Sequence, residues 1–353
     1  LKIRNFKSIR DIEICDIENA LILVGKNSTG KTSIIDALLL TAGKTQVEDY
    51  QYRDANTSIE VSLHIEFSTE DLENFHKKGT LSKLRDYDAW YQDFCTKLPS
   101  FQDNVLSFTC IITPQKKVRY DDGFQKNNPY ILEVFPKIYH IDQTRNLEAL
   151  QNDVFNFYDK ESFRKLKDNQ CTFDATRTCN RCFQCIGLIN KKTPEELTLF
   201  ETARLLQYKL FHTNLNEFAK KVNEHFHANA SPSQDIQYVM NYDIDSLLHI
   251  DTLVCNKVRG GAVGSINLLS EGLRSIYALS FLEAYIEEKD TLSCIIMIED
   301  PEIYLHPQLQ KVASEILYRL SKKNQVLFTT HSPNLIFNFS TRQIREIILD
   351  EEY

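Results

Sequence analysis

An α/β fold is what this sequence predicts, and three stretches predict it. Ala20 to Val24 form an apolar run, GKNSTGKT follows at residues 25 to 32, and Ser33 to Leu40 then have the composition of a helix. Cys294 to Ile298 form a second apolar run, which delivers two consecutive carboxylates, Glu299 and Asp300, to its end. VLFTTHSPNLI, residues 326 to 336, holds a third, ending at His331. Short apolar runs bounded by loops read as buried strands, and open α/β sheets place their ligands beyond the carboxyl ends of such strands.

The loop comes first. Strand, G-x-x-x-x-G-K-T and helix stand in the order that phosphate binding requires, which a chance match in a surface loop would not supply. Gly25 and Gly30 let the backbone curl so that successive N–H groups converge on phosphate oxygens, and the following helix aims its positive end at the same place. Lys31 then reaches the β- and γ-phosphates, while the Thr32 hydroxyl is offered to Mg²⁺. The binding set is Gly25, Lys26, Asn27, Ser28, Thr29, Gly30, Lys31, Thr32 and Ser33.

The second strand brings the acids. Glu299 holds Mg²⁺, directly or through water, and Asp300 orients or deprotonates an attacking water. NLLSEGLRS, residues 267 to 275, places Ser270 and Gly272 at a helix start, where a hydroxyl and backbone N–H groups can face an anion. By itself, Ser-x-Gly before a helix is no more than a cap. His331 closes the series as a donor toward a γ-phosphate, although a lone histidine at a strand end is as readily structural.

In this order, loop, signature, acidic strand and histidine resemble ABC-type ATPase heads of the soluble branch that includes SMC, RecF and OLD-like ATPases. The opening LKIRNFKSIRDIEI and the segment PEIYLHP are similar to the RecF and OLD-like members, among them the defence ATPase subunits of Septu- and retron-type systems. The resemblance covers residues 1 to 70 and 235 to 345. It implies a P-loop head with a mixed sheet and an antiparallel β lobe, using ATP and Mg²⁺. It also implies a dimer formed on nucleotide, in which Ser270 and Gly272 of one copy close over the γ-phosphate held by the other. An effector or nuclease partner, DNA contact and a prokaryotic anti-phage role come from the same source. So do two alternatives, the ATPase half of an OLD-like nuclease or a RecF-like repair protein, and an ATP-bound scaffold that hardly turns over. The chain departs from the family pattern where Glu299-Asp300 replaces Asp-Glu, and where Glu271 and Leu273 stand in the signature.

Composition sets the setting. With 42% hydrophobic and 25% charged residues among 353, the chain is an ordinary globular one, long enough for more than one domain. No apolar stretch approaches the roughly 20 residues of a membrane helix and no signal peptide is visible, so a cytoplasmic protein without membrane contact is expected. Net charge is −8, and basic runs such as Lys116-Lys117 with Arg119 or Arg164-Lys165 with Lys167 read as solvated faces, which leaves DNA contact to the resemblance alone.

The expected division is residues 1–70 and 231–353 as the two ATPase lobes, with 71–230 a mostly helical insertion. SIEVSLHIEF, residues 58 to 67, alternates as a half-buried strand does. Residues 70 to 106 read as helical and aromatic-rich, and Lys137 to Ile141 as a strand ending near Asp142 and Arg145. Thr193 to Glu196 form a capping box with proline first, opening a helix toward Phe226 with Leu197, Phe200, Ala203, Leu206 and Leu210 on one face. No heptad pattern supports a long coiled-coil arm.

Cys171, Cys179, Cys182 and Cys185 fall within fifteen residues. In an expected intracellular chain such clustering suggests metal ligation rather than disulfides: zinc by its C-x2-C spacing, or an iron–sulfur cluster by the tandem C-x2-C-x2-C, with free thiols in a loop as the third reading.

Overall fold

The structure is a computed structural model and describes residues 1–145, 165, 169–174, 176–179, 182–212, 219–224, 253–256, 262–266, 269–287 and 293–349. The chain divides into two units, one of Leu1–Leu147 with Leu253–Tyr353 and one of Glu148–Thr252.

The first unit holds a six-stranded antiparallel sheet, a five-stranded parallel sheet and a two-stranded antiparallel pair, β9 (Leu253–Asn256) with β10 (Ala262–Ser265). The antiparallel sheet runs β2 (Ile9–Glu13), β1 (Lys2–Phe6), β4 (Ile59–Glu66), β6 (Val105–Ile112), β5 (Phe101–Gln102), with β7 (Val118–Asp121) also on β6. The alternation expected for β4 is present: Ile59, Val61 and Leu63 are buried, and Val61 and Leu63 pair with Cys110 and Phe108 of β6. Alternation of this kind fixes register, because a slip of one residue would turn every apolar side chain to water.

The parallel sheet runs β13 (Ile344–Glu346), β3 (Ala20–Val24), β12 (Gln325–Thr329), β11 (Ile295–Ile298), β8 (Ile138–Ile141). One row crosses it in register, Ile344, Ile22, Phe328, Ile298 and Ile141. All five strands therefore end along one edge, and the loops that follow them emerge side by side. Helix α1 (Lys31–Thr41) is buried on nearly every face, as its all-round apolar composition requires, and shares one core with Ile3 and Val61 of one sheet and Leu21 and Leu23 of the other.

The strands between residues 101 and 141 pair with both sheets of the first unit. After α2 (Thr69–Lys78) and α3 (Tyr87–Lys97), where Trp90 and Phe94 are wholly buried, the chain returns as β6 and pairs β4 along eight residues, and β8 then joins the parallel sheet. Backbone pairing places these strands in the first unit.

In the second unit a bridge pairs Gln170 with Thr178, and a small core gathers Phe183, Cys185, Ile186 and Ile189 around α5 (Ile186–Ile189). The Thr193/Glu196 capping box forms as expected, but on a single 3-10 turn, Pro194–Glu196. The backbone is extended at Leu197, and a second box, Thr198 with Glu201, starts α6 (Leu199–Phe211). On α6 Phe200 is buried and Ala203 and Leu210 are half-buried, as expected, with Leu197 packed on the small core; only Leu206 of that face is exposed, while Arg204 is buried, donating to Asn169 Oδ1, Gln207 Oε1 and the Gln170 carbonyl. The expected continuation to Phe226 lies partly outside the described residues.

Candidate functional site

The loop from β3 to α1 is shaped by two glycines with left-handed backbone, Gly25 at φ +146° and Gly30 at φ +100°. A Cβ on Gly25 would stand 2.4 Å from the Ile347 carbonyl oxygen, and one on Gly30 would stand 3.0 Å from Ser8 Oγ. Gly30 caps α1 without a side-chain hydrogen bond, so the first turn of a helix opens toward the loop with no built-in acceptor. Lys31 is buried, and its ammonium turns inward to donate to the carbonyls of Gly25 at 3.0 Å and Lys26 at 2.8 Å. Thr29 Oγ1 donates to the Lys26 carbonyl at 3.0 Å. Lys26, Asn27, Ser28 and Thr32 are exposed, while Thr29 and Ser33 are buried.

The acid pair leaves β11 two strands away, which at about 4.8 Å per strand is roughly 10 Å across the same edge. Glu299 is buried, with Oε1 3.0 Å from His140 Nε2 at the end of β8. Asp300 has a left-handed backbone, φ +40°. Its N–H donates to Thr329 Oγ1 at 2.9 Å, that hydroxyl donates back to Oδ1 at 2.8 Å, and Gln143 Nε2 donates to Oδ2 at 2.9 Å. Arg145 lies behind the pair; burial lowers its pKa, against the pull of Asp300, Asp142, Glu302 and Glu299.

His331 follows β12 and is exposed, yet its backbone is fixed: its N–H donates to Glu302 Oε1 at 2.5 Å, an oxygen that also accepts from Thr330 Oγ1 at 2.9 Å. Glu302 Oε2 is buried without a partner. Ser270 is exposed ahead of α7 (Glu271–Glu287), and its carbonyl accepts the Arg274 N–H at 3.0 Å. Gly272 is buried against the turn that follows the acid strand, since a Cβ there would meet the Tyr304 carbonyl oxygen at 2.8 Å. Asn267 and Leu268 of the signature lie outside the described residues.

The structure thus brings Lys31, Glu299, Asp300 and His331 to one sheet edge, with Gly272 packed beside the acid turn. The loop has the features a nucleoside triphosphate site needs: Gly30 opens α1 with no side-chain acceptor on its first turn, and the Lys31 ammonium stands inside the loop. Thr32 and Glu299 supply the hard oxygen donors that Mg²⁺ takes. His140, Gln143, Thr329 and Glu302 join the site without having been singled out from sequence; their one sequence signal is a polar residue at or just beyond the end of a buried strand.

The cysteines do not follow expectation. Among the described residues no group of three or more His, Cys, Asp or Glu side chains is placed to hold a metal ion, and all four clustered thiols are free. Cys185 turns into the core beside Ile186 and Ile189, Cys182 is exposed, and the Cys171 and Cys179 backbones are tied into the hairpin through Arg177 and Asn169. Neither zinc nor iron–sulfur ligation is supported, because one thiol points to a core and another to water.

The AAA ATPase domain family matches residues 1–336. Over 98% of its length the chain is 20% identical to the retron Vc95 probable ATPase of Vibrio cholerae, spanning 72% of that protein. Over 98% of its length it is 22% identical to endonuclease GajA of Bacillus cereus, spanning 57% of that protein. The head domain of the Smc protein of Pyrococcus furiosus shares the fold at a TM-score of 0.50 and 15% identity, covering 96% of this chain and 90% of that one.

Proposed function

We propose, from the premise that this chain belongs to the AAA ATPase domain family, that it binds ATP and hydrolyses it slowly, dimerises on nucleotide and gates an effector in prokaryotic defence. Its fold is that of SMC and OLD-like ATPases, which is why the loop and the acids meet at one edge. The observation that carries the proposal is the buried Lys31 ammonium, held inside the loop by two carbonyls along the edge that presents Glu299 and Asp300.

Lys31 exchanges those carbonyls for β- and γ-phosphate oxygens, and the N–H groups of the loop and of the first turn of α1 take the rest of the charge. Thr32 and Glu299 would hold Mg²⁺, which would supply positive charge to the phosphates during transfer. Asp300, fixed by Thr329 and Gln143, orients the attacking water and accepts its proton. His331 contacts the γ-phosphate from the neighbouring strand. Ser270, exposed at a helix start, faces outward as closure by a second copy requires. Among the described residues no helix is long and apolar enough to cross a membrane, in keeping with a cytoplasmic role.

The retron ATPase among the relatives supports the defence setting, and endonuclease GajA supports a nuclease partner or DNA contact. A second reading has its own observation. The chain covers 57% of GajA, so it can equally serve as the ATPase part of a nuclease.

Titration with labelled ATP and phosphate release test the primary reading. Lys31→Ala is expected to lose measurable ATP affinity and turnover together; wild-type affinity in that variant overturns the loop assignment. A full-length gene product that continues into a nuclease domain, and cleaves DNA where this chain alone does not, would favour the nuclease reading.

A further inference from the structure

Besides Ser28 of the loop, two residues of the site that are not glycine have left-handed backbones, Asp300 at φ +40° and Arg145 at φ +58°, and the Arg145 side chain bonds the Asp300 carbonyl. Side chains rarely occupy this region, and where they do the surrounding contacts hold them there. The Asp300 peptide is held from two sides, by Thr329 Oγ1 on its N–H and by the Arg145 guanidinium on its carbonyl. Nη1 donates to the main-chain oxygens of Asp142 at 2.7 Å and Glu299 at 2.8 Å, and Nη2 donates to that of Asp300 at 2.7 Å. Nε points to the buried Ser275 Oγ of α7 at 3.4 Å.

An arginine kept to balance the acids would fork onto a carboxylate, which is the geometry its donors match best. Arg145 does not. It leaves the Glu299 carboxylate to His140 and the Asp300 carboxylate to Gln143 and Thr329, and instead grips the peptides from which both acids hang.

We propose that Arg145 is a positioning residue: its planar fork locks the Glu299–Asp300 turn, and through Ser275 ties that turn to the helix that starts at the signature. The assignment rests on the reading of Asp300 as the group that orients water. Lysine does not substitute, because its one nitrogen cannot stand in both places from which Nη1 and Nη2 of the rigid guanidinium reach these carbonyls.

Arg145→Lys tests this on the full chain, with thermal unfolding first used to show that the variant is folded. In the folded variant kcat for ATP hydrolysis is expected to fall by about 10- to 100-fold while the ATP dissociation constant stays within about threefold, since a misplaced catalytic group costs rate rather than binding. In an Asp300→Asn background the same change is expected to add nothing further, because both act through one group. Loss of ATP affinity in step with rate, or full additivity in the double variant, overturns the proposal. A crystal structure of Arg145→Lys supplies an arm independent of turnover: Asp300 is expected to leave the left-handed region, and an unchanged φ there overturns the clamp. A wild-type protein that binds ATP without hydrolysing it sinks the hydrolysis reading alone, and the crystal structure still decides the role of Arg145.

Discussion

Thr329 and Asp300 bond to each other twice, the Asp300 N–H donating to Thr329 Oγ1 at 2.9 Å and that hydroxyl donating to Asp300 Oδ1 at 2.8 Å. One side chain on the central strand therefore fixes both the backbone and the carboxylate of the residue that follows β11. Asp300→Asn is expected to retain ATP, lose about 10² to 10⁴ in turnover, and accumulate a nucleotide-bound dimer. Phosphate release and sizing with and without ATP check it; unchanged turnover assigns the chemistry to another group. Thr329→Val, which keeps the shape and removes both bonds, is expected to lower turnover with little change in ATP affinity.

Gly272→Ala tests the packing of the signature helix. The added methyl would stand 2.8 Å from the Tyr304 carbonyl, a backbone atom that cannot simply swing aside, so a loss of about 1 to 3 kcal/mol in urea unfolding is expected. Gly187→Ala is the control, since nothing lies within 4 Å of its new methyl. The same small loss in both variants would show that close approach at Tyr304 does not constrain Gly272.

The cysteines give a chemical readout. Burial pushes the thiols of Cys110 and Cys294 up to about 12, so at pH 8 to 9 both remain protonated and unreactive. Cys15, Cys182 and Cys255 are exposed. Alkylation of the native protein, read by mass spectrometry, is expected to label those three first and to spare Cys110, Cys185 and Cys294. Collective protection of Cys171, Cys179, Cys182 and Cys185, relieved by a chelator, would contradict the arrangement described for them.

The parallel core was legible in the sequence wherever a local pattern carried it. β3 with its loop and α1, the acid strand and the strand before His331 each announce themselves by an apolar run and its boundary, and β4 by its alternation. What escaped depends on partners distant along the chain. Arg145 meets Glu299 and Asp300 across more than 150 positions, and His140 meets Glu299 likewise, so no window around either residue contains the reason for its place. The break at Leu197 escaped for a local reason: a capping box satisfies one 3-10 turn as well as it starts a long helix, and a second box five residues on ends the ambiguity only in three dimensions. Cysteine spacing misled because separation along the chain says nothing about which way each Cβ points, and a four-residue helix was enough to turn Cys185 inward.

Strand β13 is an edge strand only three residues long, the kind of element that slides most easily. It ends, however, with the Ile347 N–H donating to the Val24 carbonyl at 2.8 Å and with the Ile347 carbonyl seated where a Gly25 side chain would be. Sliding the strand by one residue would drive a different peptide into that seat. The absent side chain at position 25 thus serves as a keyway for the outermost strand, and the glycine-rich loop indexes the sheet.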